Sequence, residues 1–115
     1  MEKNVKVSML CEIYGKLLTE KQYAFLNDYY NQDLSLSEMA ENYGITRQAV
    51  RDNIKKGENK LFEYEEKLEL MKRTLNQEKA IASILAELNK IEELDSDKKV
   101  SKILEHVKKQ LNCFV

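Results

Sequence analysis

One stretch of the sequence decides the fold: LSLSEMAENYGITRQAVRDNIKKGENKL, residues 34–61. Ser35 is followed three residues later by Glu38, which is the spacing of a capping box at the start of a helix. Gly44 predicts the end of that helix, because glycine adopts a left-handed turn without steric cost. Thr46 then lies where it would cap a second helix. Two helices joined by a tight glycine turn form a helix-turn-helix unit.

The second helix of this unit has two distinct faces. Val50, Ile54 and Leu61 recur at helical spacing and form an apolar stripe. We expect that stripe to pack against the preceding helices, so that the opposite face lies in solvent. The opposite face carries the polar residues Arg47, Gln48, Arg51, Asp52 and Lys55.

The residues before this unit predict two further helices. Apolar residues recur at spacings of three and four between residues 5 and 17, which is typical of one face of a helix. Thr19 and Gln22 form another capping box, which predicts a second helix after it. The tyrosines of this helix and of the next one favour packing in the core or at a dimer interface over base stacking, because they interleave with Phe25 and Leu26 at helical spacing. The tyrosines in question are Tyr23, Tyr29, Tyr30 and Tyr43.

The composition changes after Gly57 and predicts a second region. Residues 58–94 contain neither glycine nor proline and are rich in strong helix formers. We therefore predict a helix-turn-helix domain at residues 1–57 and a C-terminal helical extension and dimerisation region at residues 58–115. Thr74 and Gln77 have capping-box spacing, which would allow a helix break there. The segment Asp95-Ser96-Asp97 is expected to cap a last helix.

An apolar seam with alternating spacings of three and four residues begins the second region. Such a rhythm is typical of helices that pair along a heptad seam. The seam exposes more apolar surface than one small domain can cover, which predicts a homodimer. Its members are Leu61, Tyr64, Leu68, Met71 and Leu75.

Length and composition limit the fold class. The chain has 115 residues, no proline and three glycines, too few turn formers for an all-β domain of this size. No apolar run approaches the length of about 20 residues that spans a bilayer. The first residues lack the apolar core of a signal peptide, so we expect a cytoplasmic protein without a membrane partner. The cysteines Cys11 and Cys113 lack metal-ligand spacing, and we expect both to be reduced and buried.

Charge is distributed unevenly along the chain, although the net charge is only −1. Residues 18–41 carry five acidic side chains and one basic one. Residues 45–60 carry five basic side chains and two acidic ones. The basic segment coincides with the second helix of the helix-turn-helix unit, so the asymmetry favours an anionic partner there.

Residues that would support an enzyme are missing from the sequence. His106 is the only histidine and lies between apolar residues of the last helix, where a structural role is expected. Gly15, Gly44 and Gly57 are isolated, so no glycine-rich phosphate loop is formed. No cluster of metal ligands occurs in the sequence, and the paired carboxylates fit solvated helix faces. We expect neither catalysis nor a cofactor or metal.

The exposed face of the second helix has the chemistry of a nucleic-acid reader. A recognition helix enters the major groove with its N-terminal end. Arginine there binds guanine or phosphate in a bidentate way, and glutamine can pair with adenine. The hydroxyl and free amides at a helix start bind phosphate, as does lysine. The predicted binding residues are Thr46, Arg47, Gln48, Arg51 and Lys55, with Lys56 and Lys60 as further phosphate contacts.

Two alternatives remain open for the same face. The arginines Arg47 and Arg51 would also suit a solvated helix face that pairs with the acidic third helix. In addition, helix-turn-helix domains bind proteins and RNA as well as DNA. A protein-interaction adaptor that uses the fold as a scaffold is therefore the competing function.

Several short runs resemble one known family. They are LLTEKQ (Leu17–Gln22), SLSEMA (Ser35–Ala40), RQAV (Arg47–Val50), DNI (Asp52–Ile54) and YEEKLEL (Tyr64–Leu70). Together they make residues 5–72 similar to the YlxM family of small bacterial proteins. The run SLSEMAENYGITRQAV also resembles the helix-turn-helix of the promoter-reading domain of bacterial sigma factors.

The resemblance implies both a fold and a cellular context. The fold is all-α, a winged-helix-like or sigma-region-four-like helix-turn-helix bundle with long C-terminal helices. The context is a gene beside that of the signal recognition particle GTPase, and hence a part in protein targeting. The sigma-like match places Thr46, Arg47, Gln48 and Arg51 at positions that face nucleic acid. The implied partners are DNA or the signal recognition particle RNA, and the adaptor alternative would instead modulate the GTPase.

Overall fold

The structure is a computed structural model that describes residues 1–94 and 97–113. Its helices are α1 (Lys3–Tyr14), α2 (Glu20–Leu26), α3 (Leu36–Tyr43), α4 (Arg47–Leu68), α5 (Leu70–Leu94) and α6 (Lys98–Asn112). A 3₁₀ turn (Gly15–Leu17) follows α1, and a π-helical turn (Asn27–Asn31) continues α2. The described residues contain no strand, and hence no β-hairpin wing. The predicted all-α fold is therefore confirmed.

Side-chain caps begin α2 and α3 as the sequence predicts. The Thr19 hydroxyl accepts a hydrogen bond from the Gln22 amide at 3.1 Å, and the Gln22 side chain accepts one from the Thr19 amide at 3.2 Å. Ser35 and Glu38 make the same reciprocal pair at 3.1 and 3.2 Å. A capping side chain of this kind stabilises a helix by about 1 kcal/mol. Both predicted capping boxes are confirmed.

The first compact unit spans Met1–Met71 and has α4 at its centre. α4 packs against α1, α2 and α3, which together enclose it on its apolar side. This arrangement confirms that the apolar stripe of α4 faces inward. The fully buried side chains are Val7, Leu10, Tyr14, Phe25, Leu26, Met39, Val50 and Leu61.

The boundary between the two compact units differs from the predicted one at residue 57. The units divide between Met71 and Lys72, in the first turn of α5. α4 runs through Gly57 without interruption, and both Glu58 and Leu61 are buried. A Cβ atom on Gly57 would lie 2.9 Å from Leu26 Cδ1, so glycine serves the close approach of α2 to α4. The change of composition after Gly57 therefore falls inside α4 and within the first compact unit.

A helix break separates α4 from α5 at Glu69, whose φ of 54° is left-handed. The Tyr14 hydroxyl donates to Glu65 Oε1 at 2.7 Å and accepts from the Leu70 amide at 3.1 Å. Glu65 Oε1 also accepts from the Met71 amide at 3.0 Å. These two side chains thus pair with amides that a helix start leaves free. The break that this spacing would allow at Thr74–Gln77 does not occur, since α5 is continuous from Leu70 to Leu94.

Fewer members of the predicted apolar seam are exposed than the sequence predicted. Leu61 is fully buried and Met71 is buried, so both are covered within their own chain. The Tyr64 hydroxyl donates to the Leu17 carbonyl at 3.3 Å. Leu68 remains 45% exposed and Leu75 is half-buried. The prediction of an unbroken exposed seam from Leu61 to Leu75 is therefore wrong. The homodimer itself stays a prediction.

The second unit contains the rest of α5 together with α6. Asp97 caps α6, because its carboxylate accepts a hydrogen bond from the Lys99 amide at 2.9 Å. Asp95 and Ser96, which were predicted to share that cap, lie outside the described residues. Lys108 of α6 forms an ion pair with Glu92 of α5. No helix in residues 1–94 and 97–113 combines the length and apolar content required to cross a bilayer.

The two cysteines have different environments, whereas the sequence predicted that both are buried. Cys11 is buried in α1, and this burial, followed by the nearby Glu58 carboxylate, raises the pKa of its thiol to about 11. Cys113 is exposed after the last turn of α6. Cys11 thus behaves as a small core residue, and the prediction for Cys113 is wrong.

Candidate nucleic-acid interface

The turn between α3 and α4 is built by backbone hydrogen bonds around Gly44. Gly44 has φ 66° and ψ 34°, the left-handed conformation that glycine adopts most easily. The Ile45 amide donates to the Ala40 carbonyl at 3.1 Å, and the Gly44 amide donates to the Glu41 carbonyl at 3.4 Å. This pair of bonds is the Schellman motif, which ends a helix and redirects the chain. The predicted glycine turn is confirmed.

Thr46 begins α4 as the sequence predicts. Its backbone is extended, and its hydroxyl oxygen accepts a hydrogen bond from the Ala49 amide at 3.0 Å. The amides of Arg47 and Gln48 have no carbonyl partner within the helix, because they belong to its first turn. The positive end of the helix dipole therefore faces solvent beside the Thr46 hydroxyl.

The predicted binding residues lie on the solvent side of α4. Val50 is fully buried and Ile54 is buried, and these two residues hold the opposite side against the core. The helical period then directs the other face outward. The exposed side chains are Thr46, Arg47, Gln48, Arg51 and Lys55.

The arginines of this face are free of ion pairs in the part of the chain that the structure describes. Neither Arg47 nor Arg51 forms a salt bridge, although α3 carries acidic residues. By contrast, Lys60 and Lys67 both pair with Glu63, at 3.8 and 3.3 Å. The two guanidinium groups are therefore available to an external anion, and the alternative in which they pair with α3 has no support in these contacts.

Gln48 is engaged within its own helix. Its Nε2 donates to Asp52 Oδ1 at 3.0 Å, one turn further along α4. A bidentate contact from Gln48 to adenine would require this hydrogen bond to open. Asp52 also brings a negative charge to the exposed face, which weakens the attraction of that face for phosphate.

The sequence predicted that Lys60, like Lys55 and Lys56, contacts phosphate, but its surroundings in the structure differ from theirs. Its ammonium lies 3.8 Å from Glu63 and 5.9 Å from the centre of the Tyr64 ring, so it is engaged within the chain. Lys55 and Lys56 are exposed without such partners among the described residues. The basic surface of α4 is therefore concentrated between Arg47 and Lys56.

Tyr43 confirms the packing role expected for one of the tyrosines. Its ring stacks on Phe25 with the ring centres 4.4 Å apart. Its hydroxyl donates to Asp28, and this bond, followed by burial, raises the pKa of Tyr43 to about 12. Tyr43 nevertheless keeps 40% of its surface exposed, a fraction similar to the 43% of Tyr23 and the 37% of Tyr29.

A polar cluster around the buried Glu58 carboxylate was not predicted from the sequence. Glu58 is buried, and its carboxylate accepts a hydrogen bond from the Tyr30 hydroxyl. Lys3 Nζ lies 3.3 Å from the other carboxylate oxygen of Glu58. Burial, followed by the hydrogen bond to Glu58, raises the pKa of Tyr30. One signal was present, because Glu58 occupies the helical stripe between Ile54 and Leu61.

α3, the Gly44 turn and α4 together make this chain a helix-turn-helix protein. The chain belongs to the UPF0122 family, described as "Putative helix-turn-helix protein, YlxM / p13 like", whose family model matches residues 1–103. The resemblance to the YlxM family seen in the sequence is thereby confirmed.

Bacterial relatives match most of the chain. A UPF0122 protein of Clostridium perfringens is 45% identical over 97 residues, which cover 84% of this chain and 87% of the relative. A UPF0122 protein of Clostridium kluyveri is 45% identical over 108 residues and 94% of both chains. One from Lacticaseibacillus casei is 41% identical over 110 residues and 96% of both chains. The similarity thus includes both compact units.

Proposed function

We propose that this protein binds nucleic acid through the N-terminal half of α4. The observation that carries the proposal is the pair of exposed guanidinium groups, Arg47 and Arg51, which are one turn apart and free of ion pairs within the described residues. The buried side of α4 fixes the backbone that carries them, so the spacing of the two arginines along the helix is set before binding. The binding residues are Thr46, Arg47, Gln48, Arg51 and Lys55.

Each of these groups has a role that follows from its chemistry. Arg47 and Arg51 bind guanine edges or phosphates in a bidentate way. The free amides at the start of α4 and the Thr46 hydroxyl donate to a phosphate, and Lys55 adds a phosphate contact. Gln48 contacts a base only after its hydrogen bond to Asp52 opens.

The affinity should be modest and strongly dependent on salt. About three to five phosphates can be contacted by this surface, and each contributes about −0.9 to the slope of log K against log salt concentration. The acidic residues of α2 and α3 and the overall charge of −1 weaken long-range attraction.

We infer the cellular context from the family resemblance alone. A YlxM-like protein is expected to be an accessory or regulatory factor of the signal recognition particle pathway in the cytoplasm. Its nucleic-acid partner would then be DNA or the signal recognition particle RNA.

Fluorescence anisotropy across a salt series tests the proposed function. The probes are a random DNA duplex and the signal recognition particle RNA. Arg47→Ala/Arg51→Ala should lower the affinity at least about tenfold and reduce the salt slope by about 2, because two phosphate contacts are lost. Lys16→Ala/Lys21→Ala removes the same charge from exposed positions outside α4 and should leave the affinity nearly unchanged.

Weak binding that is equal for the three proteins would overturn the proposal. The adaptor function would then take its place, and one observation favours that second candidate. Val5, Leu17 and Tyr23 are exposed apolar or aromatic side chains on the α1–α2 side, where a protein partner such as the signal recognition particle GTPase could dock. Capture of that GTPase by the Arg47→Ala/Arg51→Ala protein would support the adaptor.

We also propose that the chain forms a homodimer. The supporting observation is Leu68, which remains 45% exposed at the end of α4. Leu75 is a half-buried residue of the predicted seam and is a second candidate for the interface.

A further inference from the structure

A cavity of about 300 Å³ lies beside the proposed interface and is lined by α4, the start of α3, the π-helical turn and the start of α1. We call it the Arg51 cavity. Its volume is at the lower end of the range for small-molecule sites. The side chains that matter for its chemistry are Lys3, Tyr29, Tyr30, Arg51, Lys55 and Glu58.

The Arg51 cavity adjoins a second concavity on the exposed face of α4. This concavity of about 290 Å³ is lined by Arg47, Gln48, Arg51 and Leu36. Arg51 and Leu36 line both spaces. A strand bound at Arg47 could therefore extend into the Arg51 cavity.

The cavity has a surplus of positive charge. Glu58 is its one acidic lining residue, and both of its oxygens are engaged, one by the Tyr30 hydroxyl and the other by Lys3 Nζ at 3.3 Å. Arg51 and Lys55 line the same space and form no ion pair among the described residues. Two cations are therefore available to a phosphate group, which is the anion that arginine binds in bidentate geometry.

Tyr29 supplies an aromatic surface at the same cavity. The residue is 37% exposed, and its ring contacts the Tyr30 ring edge-to-face, with the ring centres 5.0 Å apart. Tyr30 is held in turn by its hydrogen bond to Glu58. The π-helical turn that carries both tyrosines is closed by the Gln32 amide, which donates to the Asn27 carbonyl at 3.1 Å. π-helical turns occur frequently at functional sites.

We propose that the Arg51 cavity is a nucleotide subsite, in which Arg51 and Lys55 bind the phosphate and Tyr29 stacks on the base. Aromatic side chains next to cations are the usual means of holding an unpaired nucleotide. If the bound nucleotide is an unpaired residue that flanks a duplex at α4, the inference rests on the proposed function. A free mononucleotide carries the same phosphate and base, and it is the second possible source of the bound nucleotide.

Two duplex probes test the case in which the nucleotide is an unpaired residue beside a duplex. They share one sequence, and one of them carries a short single-stranded extension. The extended probe should bind at least about fivefold more tightly, the lower limit for one stacked base. Tyr29→Leu should abolish this difference and leave binding of the blunt duplex unchanged, whereas Tyr29→Phe should retain it. Tyr23→Leu is the matched control, because Tyr23 is 43% exposed but lines different concavities.

An NMR titration with adenosine monophosphate and with inorganic phosphate tests the second source. Saturable shifts at the Tyr29 and Arg51 amides that are larger with the mononucleotide and reduced in Tyr29→Leu support the subsite. This result would stand even if neither duplex were bound, an outcome that overturns the proposed function only. Equal binding of the two duplexes, together with shifts no larger than those with inorganic phosphate, overturns the subsite.

Discussion

Gly57 and Glu58 lie side by side in the middle of α4, and both face the interior of the first unit. Gly57 allows the α4 backbone to approach the fully buried Leu26 side chain. Glu58 connects α4 to Tyr30 and to Lys3 at the start of α1. These two residues therefore set the packing of α4 against its neighbours.

Replacing Gly57 with alanine should destabilise the protein, although alanine is the better helix former. The new Cβ would lie 2.9 Å from Leu26 Cδ1 and 3.1 Å from Cγ, and Leu26 is fully buried, so it has little room to move. Overpacking of this kind costs about 1–3 kcal/mol, against about 1 kcal/mol gained in helix propensity. Urea denaturation should show a lower midpoint.

The exposed neighbour Asn59 provides the control for that prediction. Asn59→Ala changes helix propensity on the same helix without the close contact and should raise the midpoint slightly. If Gly57→Ala raises the midpoint as well, the close approach of α2 and α4 does not limit stability.

At the scale of the elements, the helix starts and the glycine turn were predictable because their causes are local. Thr19, Ser35 and Thr46 each cap a helix through a residue three positions away. The break at Glu69 was not predictable, because its hydrogen bonds come partly from Tyr14, 51 residues away from Glu65. Sequence periodicity reports the face of a helix and not which distant element covers it.

The candidate site likewise has one part that the local sequence predicts and another part that it does not. Exposure of Arg47 and Arg51 follows from the position of Val50 and Ile54 on the opposite face of one helix. The Arg51 cavity depends on Lys3 and Tyr29, which come from elements remote in sequence. No pattern within α4 reports their presence.

The homodimer can be tested at Leu68, at the end of α4, and at Leu75, near the start of α5. Leu68→Glu/Leu75→Glu places charge on the exposed and half-buried members of the seam and should give the monomer mass in light scattering. Met71 is unsuitable for this purpose, because it is buried within the chain and its replacement would disturb folding. Lys67→Glu/Asn76→Glu, at exposed neighbouring positions, should keep the dimer mass. A wild-type chain with monomer mass would exclude the dimer.

At the scale of the whole molecule, the position of the unit boundary determines which part of the chain can fold alone. All the fully buried side chains of the first unit occur between Val7 and Leu61. The hydrogen bonds that end this unit reach as far as the Leu70 and Met71 amides. A boundary at residue 57 would cut α4 between Gly57 and Leu61, whereas one at Met71 keeps the whole set.

Truncation distinguishes the two boundaries. Residues 1–71 should unfold cooperatively in urea, because all the fully buried side chains of the first unit are retained. Residues 1–57 should show no cooperative transition, since they lose Glu58 and the fully buried Leu61. Loss of one buried leucine side chain alone costs about 2–5 kcal/mol, against a total stability of about 5–15 kcal/mol for a domain. Residues 1–68 lose the Leu70 and Met71 hydrogen bonds together with the buried Met71 side chain, and should be less stable than residues 1–71 by about 2–5 kcal/mol. A cooperative transition in residues 1–57 would instead favour the boundary inferred from composition.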